Sequence, residues 1–197
     1  MRMSGLWRKM VGLGADGRGT AAVEFALVAP LLLAMYFMTM ELSQGIEANK
    51  KVARVGSMVA DLITQNPTTN TTELQAVMKI SESILQPYQR SKPEIIVTGI
   101  EVTPEPDSEV LIRWSRKMDA ATPPYVKDTV AAIPDALMIP GTFLVRVESK
   151  LNYKPVITWS AEAKPALGQA AAFDGLDMSE TYYLRPRMSP KVTCDNC

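Results

Sequence analysis

The sequence predicts an α+β protein, one long N-terminal helix followed by a domain built on an antiparallel sheet. Three observations carry this reading. An apolar run from Ala21 to Leu42 is interrupted only by Glu24, Thr39 and Glu41. At about 1.5 Å per residue a helix of that length covers roughly 33 Å, enough for a bilayer core. Helical spacing then continues past Leu42 through Ile46, Val52, Val55, Val59, Leu62 and Ile63, until Asn66-Pro67 ends it. Beyond residue 93 the pattern changes to β-branched, alternating stretches. The predicted division is a basic leader over 1–19, a membrane helix over 20–42, a helix extension over 43–66, and an α+β domain over 67–197.

The elements follow in order. Gly5, Gly12, Gly14 and Gly17 make the leader a flexible segment. Pro30 lies inside the apolar run; it has no N–H for the carbonyl of Ala26, so a kink is expected there. Membrane helices tolerate such a proline. In the extension, Gln44, Glu47, Lys50, Lys51, Arg54 and Asp61 occupy the faces away from the apolar stripe. One helix from about Thr20 to Gln65 would be roughly 70 Å long, with its second half laid on the domain.

Residues 67–72 read as a polar turn, with Thr71 or Thr72 capping a helix that carries Glu73 in its first turn. Leu74, Val77, Met78, Ile84 and Leu85 give that helix its apolar side, and Gln86-Pro87 ends it. Glu94 to Thr103 reads as a strand with Ile96, Thr98, Ile100 and Val102 on one face. Val110, Ile112 and Trp114 alternate with Leu111, Arg113 and Ser115 on its hairpin partner. Pro123-Pro124 is expected to open a short helix reaching Val130. Residues 142–153 place Phe143, Val145 and Val147 on one face and Arg146, Glu148 and Lys150 on the other. Val156 to Trp159 reads as a short strand, 161–177 as a surface loop, and Thr181 to Arg185 as the last strand.

Charge sets the direction of insertion. The chain carries 21 basic and 21 acidic residues, but the leader holds Arg2, Arg8, Lys9 and Arg18 against Asp16 alone. The positive-inside rule keeps such an N-terminus in the cytoplasm and sends the rest across. A near-neutral exported domain offers no electrostatic case for nucleic acid. The sequence contains no histidine, which removes the commonest general base, the Ser/His and Cys/His nucleophile pairs and most zinc sites. No cofactor, metal or small-molecule substrate is therefore expected. An ordinary secretory signal would also have a basic start, but this apolar run is long for one and no Ala-x-Ala site follows.

Several clusters of reactive side chains have plainer readings. Cys194 and Cys197 have the spacing of redox motifs but lack the βαβ context and helix N-terminus that lower a thiol pKa. A structural disulfide in an oxidising compartment is the expectation, with pairing between chains as the alternative. Glu94, Glu101, Glu105, Asp107 and Glu109 gather around the first hairpin and read as solvated loop charges rather than as a hydrolase or calcium site.

Glu24 is the anomaly. A carboxylate inside a membrane segment is costly and reads by default as functional. It lies five residues after Gly19, with an aromatic residue next and a basic stretch before. Gly19-Thr-Ala-Ala-Val-Glu-Phe-Ala-Leu-Val-Ala-Pro-Leu-Leu-Leu33 is similar to the processing site of type IV pilin-like precursors. More closely it resembles the TadE-like family of tight-adherence (Flp) pilus systems, over about residues 17–45. The resemblance implies a pilin-like plan of helix spine plus sheet. It implies a non-catalytic minor pilin or pseudopilin, held in the bacterial inner membrane by a single span with its C-terminal domain in the periplasm. Its implied partners are a prepilin peptidase acting at Gly19–Thr20, other pilin-like subunits and the Tad assembly platform. Two alternatives stay open. One is an unprocessed bitopic scaffold that remains in the membrane; the other is a secreted hydrolase, which the missing histidine disfavours.

Overall fold

A computed structural model describes residues 19–88, 90–106, 108–155 and 175–197. The leader through Arg18, the expected strand Val156 to Trp159 and most of the expected loop 161–177 lie outside the described residues. The chain divides into two units, Met1–Ser43 and Gln44–Cys197. Helix α1, Thr20–Thr64, belongs to both and is unbroken at Pro30.

In the second unit, residues 44–64 of α1 bury one stripe, made of Ala48, Val52, Val55, Gly56, Val59, Ala60, Ile63 and Thr64. These positions repeat at three- and four-residue steps, as one face of a helix requires. The buried Thr64 hydroxyl is satisfied by the carbonyl of Ala60 at 2.9 Å. Strand β1, Thr68–Asn70, follows and leads directly into α2, Thr71–Ile84. The expected polar turn is thus a short strand, because the C-terminal strand β6, Thr193–Asp195, pairs with it in parallel. The cap falls one residue earlier than expected. Asn70 Oδ1 accepts from the Glu73 backbone N–H at 2.9 Å, and asparagine ranks with the best N-caps.

Strands β2 (Glu94–Val102), β3 (Val110–Lys117), β4 (Phe143–Tyr153) and β5 (Leu176–Leu184) form one antiparallel sheet in the order β3-β2-β4-β5. The α+β class is therefore as the sequence predicts. On one face, Ile95, Val97, Val145, Val147, Leu151 and Tyr153 pack with the α1 stripe and with Leu74 and Met78 of α2. Ser149 on this face donates to the carbonyl of Val52 at 3.0 Å, tying β4 to the helix. Gly56 permits the close approach: a Cβ there would lie 2.7 Å from Cδ2 of Tyr182.

Three expectations need correction. The alternation of Val110, Ile112 and Trp114 does not hold, because the β2–β3 register shifts between Gly99 and Ile100. A bulge adds one residue to one strand and reverses the faces beyond it. Val110 and Ile112 join a second cluster with Ile100, Val102, Ala131, Ile133 and Leu144, whereas Trp114 turns into the main core. The helix expected from Pro123-Pro124 to Val130 is absent. Its backbone instead bonds along the β3 edge, through Asp128 N to Ile112 O at 2.7 Å, Ile112 N to Thr129 O at 3.0 Å and Ala131 N to Val110 O at 2.8 Å. So short a helix has little stability of its own, and an open strand edge offers better hydrogen bonding. Finally, β5 starts at Leu176 rather than Thr181, since β4 supplies partners as far as Tyr153.

The same segment roofs the second face of the sheet. Arg146 and Glu148, on the face opposite Val145 and Val147 as expected, are largely covered, with side chains 9% and 13% exposed. Arg146 Nε is 3.2 Å from Glu148 Oε1, and the Tyr125 hydroxyl donates to Glu148 Oε2 at 2.9 Å. The Tyr125 ring lies 4.9 Å from the Arg146 guanidinium carbon. Burial first, and then the bond to Glu148, raises the Tyr125 phenol above its ordinary value.

Candidate functional site

The sequence-predicted site residues lie on two features: the apolar part of α1 and the C-terminal tail. Thr20 is the first residue of α1 and Gly19 immediately precedes it. A Cβ built on Gly19 meets nothing within 4 Å. Glu24 is exposed, one helical turn after Thr20. Around it Phe25 is 72%, Leu27 74%, Leu31 62% and Met38 74% exposed. Along the most apolar 18-residue window of the helix no residue is buried. Monomeric soluble proteins rarely expose so continuous an apolar surface, and a helix apolar on all sides suits hydrocarbon. Within the run the Thr39 hydroxyl donates back to the Met35 carbonyl at 2.5 Å, so it needs no water.

The tail is fixed from three sides. Trp114 Nε1 donates to the Val192 carbonyl at 2.9 Å. Thr193 N donates to Pro67 O at 3.1 Å, where β6 begins alongside β1. Arg116 Nη2 donates to the Asn196 carbonyl at 2.7 Å. Cys194 and Cys197 form a disulfide with Cα atoms 5.6 Å apart. Cys194 sits in β6 and not at a helix N-terminus, one of the settings that lower a thiol pKa. Sequence reasoning missed β6 and its ties. No local signal could have shown that Val192 meets a tryptophan far earlier in the chain.

Several charges of the sheet are held in ion pairs. Arg113 donates to Glu101 Oε2 at 2.5 Å and to Asp128 Oδ1 at 2.7 Å. The bond to Glu101 is the main cause that holds its guanidinium above its usual value. Glu94 lies 2.9 Å from Lys117. Two members of the acidic hairpin cluster are thereby paired with basic side chains. Among the described residues, no group of three or more His, Cys, Asp or Glu is placed to hold a metal ion.

The geometry defines a class: an α+β domain with, among the described residues, one helix long and apolar enough to cross a membrane. Residues 19–61 match the family described as TadE-like protein, so that segment of the chain is similar to the family. The match covers the apolar run and most of the stripe that packs on the sheet, and it ends before the sheet begins. No curated protein and no solved structure matches the chain.

The tail allows a direct test of its chemistry. In protein isolated without reductant, Cys194 and Cys197 are expected to resist alkylation until a reductant is added. Mass spectrometry showing full alkylation without reduction would rule the pair out. Cys194→Ser is expected to change the unfolding midpoint little, because so small a loop constrains the unfolded chain weakly.

Proposed function

We propose that this protein is a non-catalytic, membrane-anchored subunit of a tight-adherence (Flp) pilus system, acting as a minor pilin or pseudopilin during filament assembly. The observation that carries the reading is the exposed apolar helix that begins after Gly19 and holds Glu24, within the TadE-like segment. The membrane span would hold the chain in the bacterial inner membrane, with the basic leader in the cytoplasm and the domain in the periplasm. The prepilin peptidase would cut Gly19–Thr20, and other pilin-like subunits and the Tad assembly platform would receive the helix. The domain would serve as a folded head without chemistry of its own.

Topology is tested with fusions to a reporter that is active only in the periplasm. Fusion after Cys197 is expected to be active, and fusion at Gly12 with the rest removed is expected to be inactive. Cytoplasmic behaviour of the first fusion would overturn the reading. An inserted chain that never co-purifies with pilus components would favour the scaffold alternative.

A further inference from the structure

At the end of the domain where the chain enters from the apolar segment, three stretches converge. The ring of Tyr153 comes within 3.9 Å of a Cβ placed on Gly45. The rings of Tyr88 and Tyr153 lie 6.4 Å apart, and the Tyr88 hydroxyl donates to Glu47 at 2.8 Å. Arg90 Nη1 donates to the Lys154 carbonyl at 2.8 Å, and Ser91 Oγ donates to the Asn152 carbonyl. Residues 45–51, 88, 90–92 and 152–154 therefore form one end of the domain.

That end is basic where it is free to act. Lys50, Arg90, Lys92 and Lys154 are exposed, and among the described residues no carboxylate pairs with any of them. Among the described residues, Glu47, Glu94 and Asp177 near this end are engaged. Glu47 takes the Tyr88 hydroxyl and lies 3.9 Å from Lys51. Glu94 faces Lys117 and Lys150, and Asp177 accepts from Asn152 at 2.6 Å.

We propose that this basic end binds anionic phospholipid headgroups at the surface from which the chain emerges. The proposal rests on the membrane-anchor reading above. Chain connectivity alone brings the two together. Gln44 is two residues past the end of the apolar run, and Lys50 is about 12 Å beyond Leu42 along a helix. Headgroup charge acts over a Debye length of about 8–10 Å, so cations held at this end fall within or beside its field. Lipid fits better than an acidic protein as the occupant, because the anchor already fixes this end beside the lipid.

The test uses the full chain in nanodiscs of phosphatidylcholine alone or of an equal mixture with phosphatidylglycerol. Lysines are acetylated at low salt and the sites are read by mass spectrometry. Lys50, Lys92 and Lys154 are expected to react about threefold or more slowly in the anionic discs. Lys127 and Lys191, placed along β3 and beside β6, are expected to react equally in both. High salt is expected to abolish the difference. The double variant Lys92→Glu with Lys154→Glu, both on the surface, is expected to weaken the protection left at Lys50. A chain that enters both discs but labels identically would overturn the headgroup contact alone. A chain that enters neither would overturn the anchor, and the proposal with it.

Discussion

Trp114→Ala is expected to destabilise the domain by about 3–5 kcal/mol, the range for removing a buried tryptophan. Trp114 is 5% exposed in the main core and is also the donor that ties the tail at Val192. Its ring fits because residue 99 is glycine: a Cβ there would lie 2.4 Å from the indole and 2.9 Å from Phe143. Gly99→Ala therefore overpacks the same spot and is expected to cost about 1–3 kcal/mol. Trp114→Phe keeps most of the volume and loses the hydrogen bond, about 1 kcal/mol. Urea unfolding of the detergent-solubilised chain measures all three. The predicted order is Trp114→Ala largest and Trp114→Phe smallest. A Trp114→Ala loss below about 1 kcal/mol would contradict the packing described here.

The second large effect concerns Gly19 and Glu24. Gly19→Leu is expected to abolish processing and leave a full-length precursor. A Cβ at residue 19 meets nothing within 4 Å, so this variant is expected to fold and insert normally. Its defect would report recognition by the peptidase. Glu24→Ala is expected to insert as well as wild type or better, since an unpaired acid costs about 2.5–3.5 kcal/mol at the bilayer centre and less near its edge. Its defect is expected in co-purification with other pilin-like subunits. The proposed cut turns the Thr20 amide into a protonated amine, one turn from Glu24. That amine, or the amine of a neighbouring chain, would offset the acid. A Glu24→Ala chain that assembles normally would remove Glu24 from this role.

What the sequence made legible follows from the range of each signal. The apolar run, the α1 stripe and the alternation of β4 are periodic over many residues, so they were readable. The bulge at Gly99 was not, because it depends on how β2 and β3 fit, and Trp114 consequently faces opposite to its simple alternation. Leu176 to Glu180 lacks β-branched residues; β4 makes it a strand. The segment after Pro123-Pro124 was misread for a related reason, since the unpaired β3 edge outcompeted a short helix. For the candidate site the sequence offers Gly19, Glu24 and the apolar run, and the structure adds that Gly19 precedes α1 and that Glu24 is exposed. The tail was legible only as two cysteines, because its ties to Trp114 and Arg116 reach across the fold.

The measurement that bears most directly on the central claim is the N-terminal sequence of the mature protein, isolated from the membranes of cells making the pilus. The account predicts a chain that begins at Thr20, and a precursor that retains its leader when the prepilin peptidase is deleted. A mature chain that keeps Met1, or one that begins beyond Leu42, would contradict it.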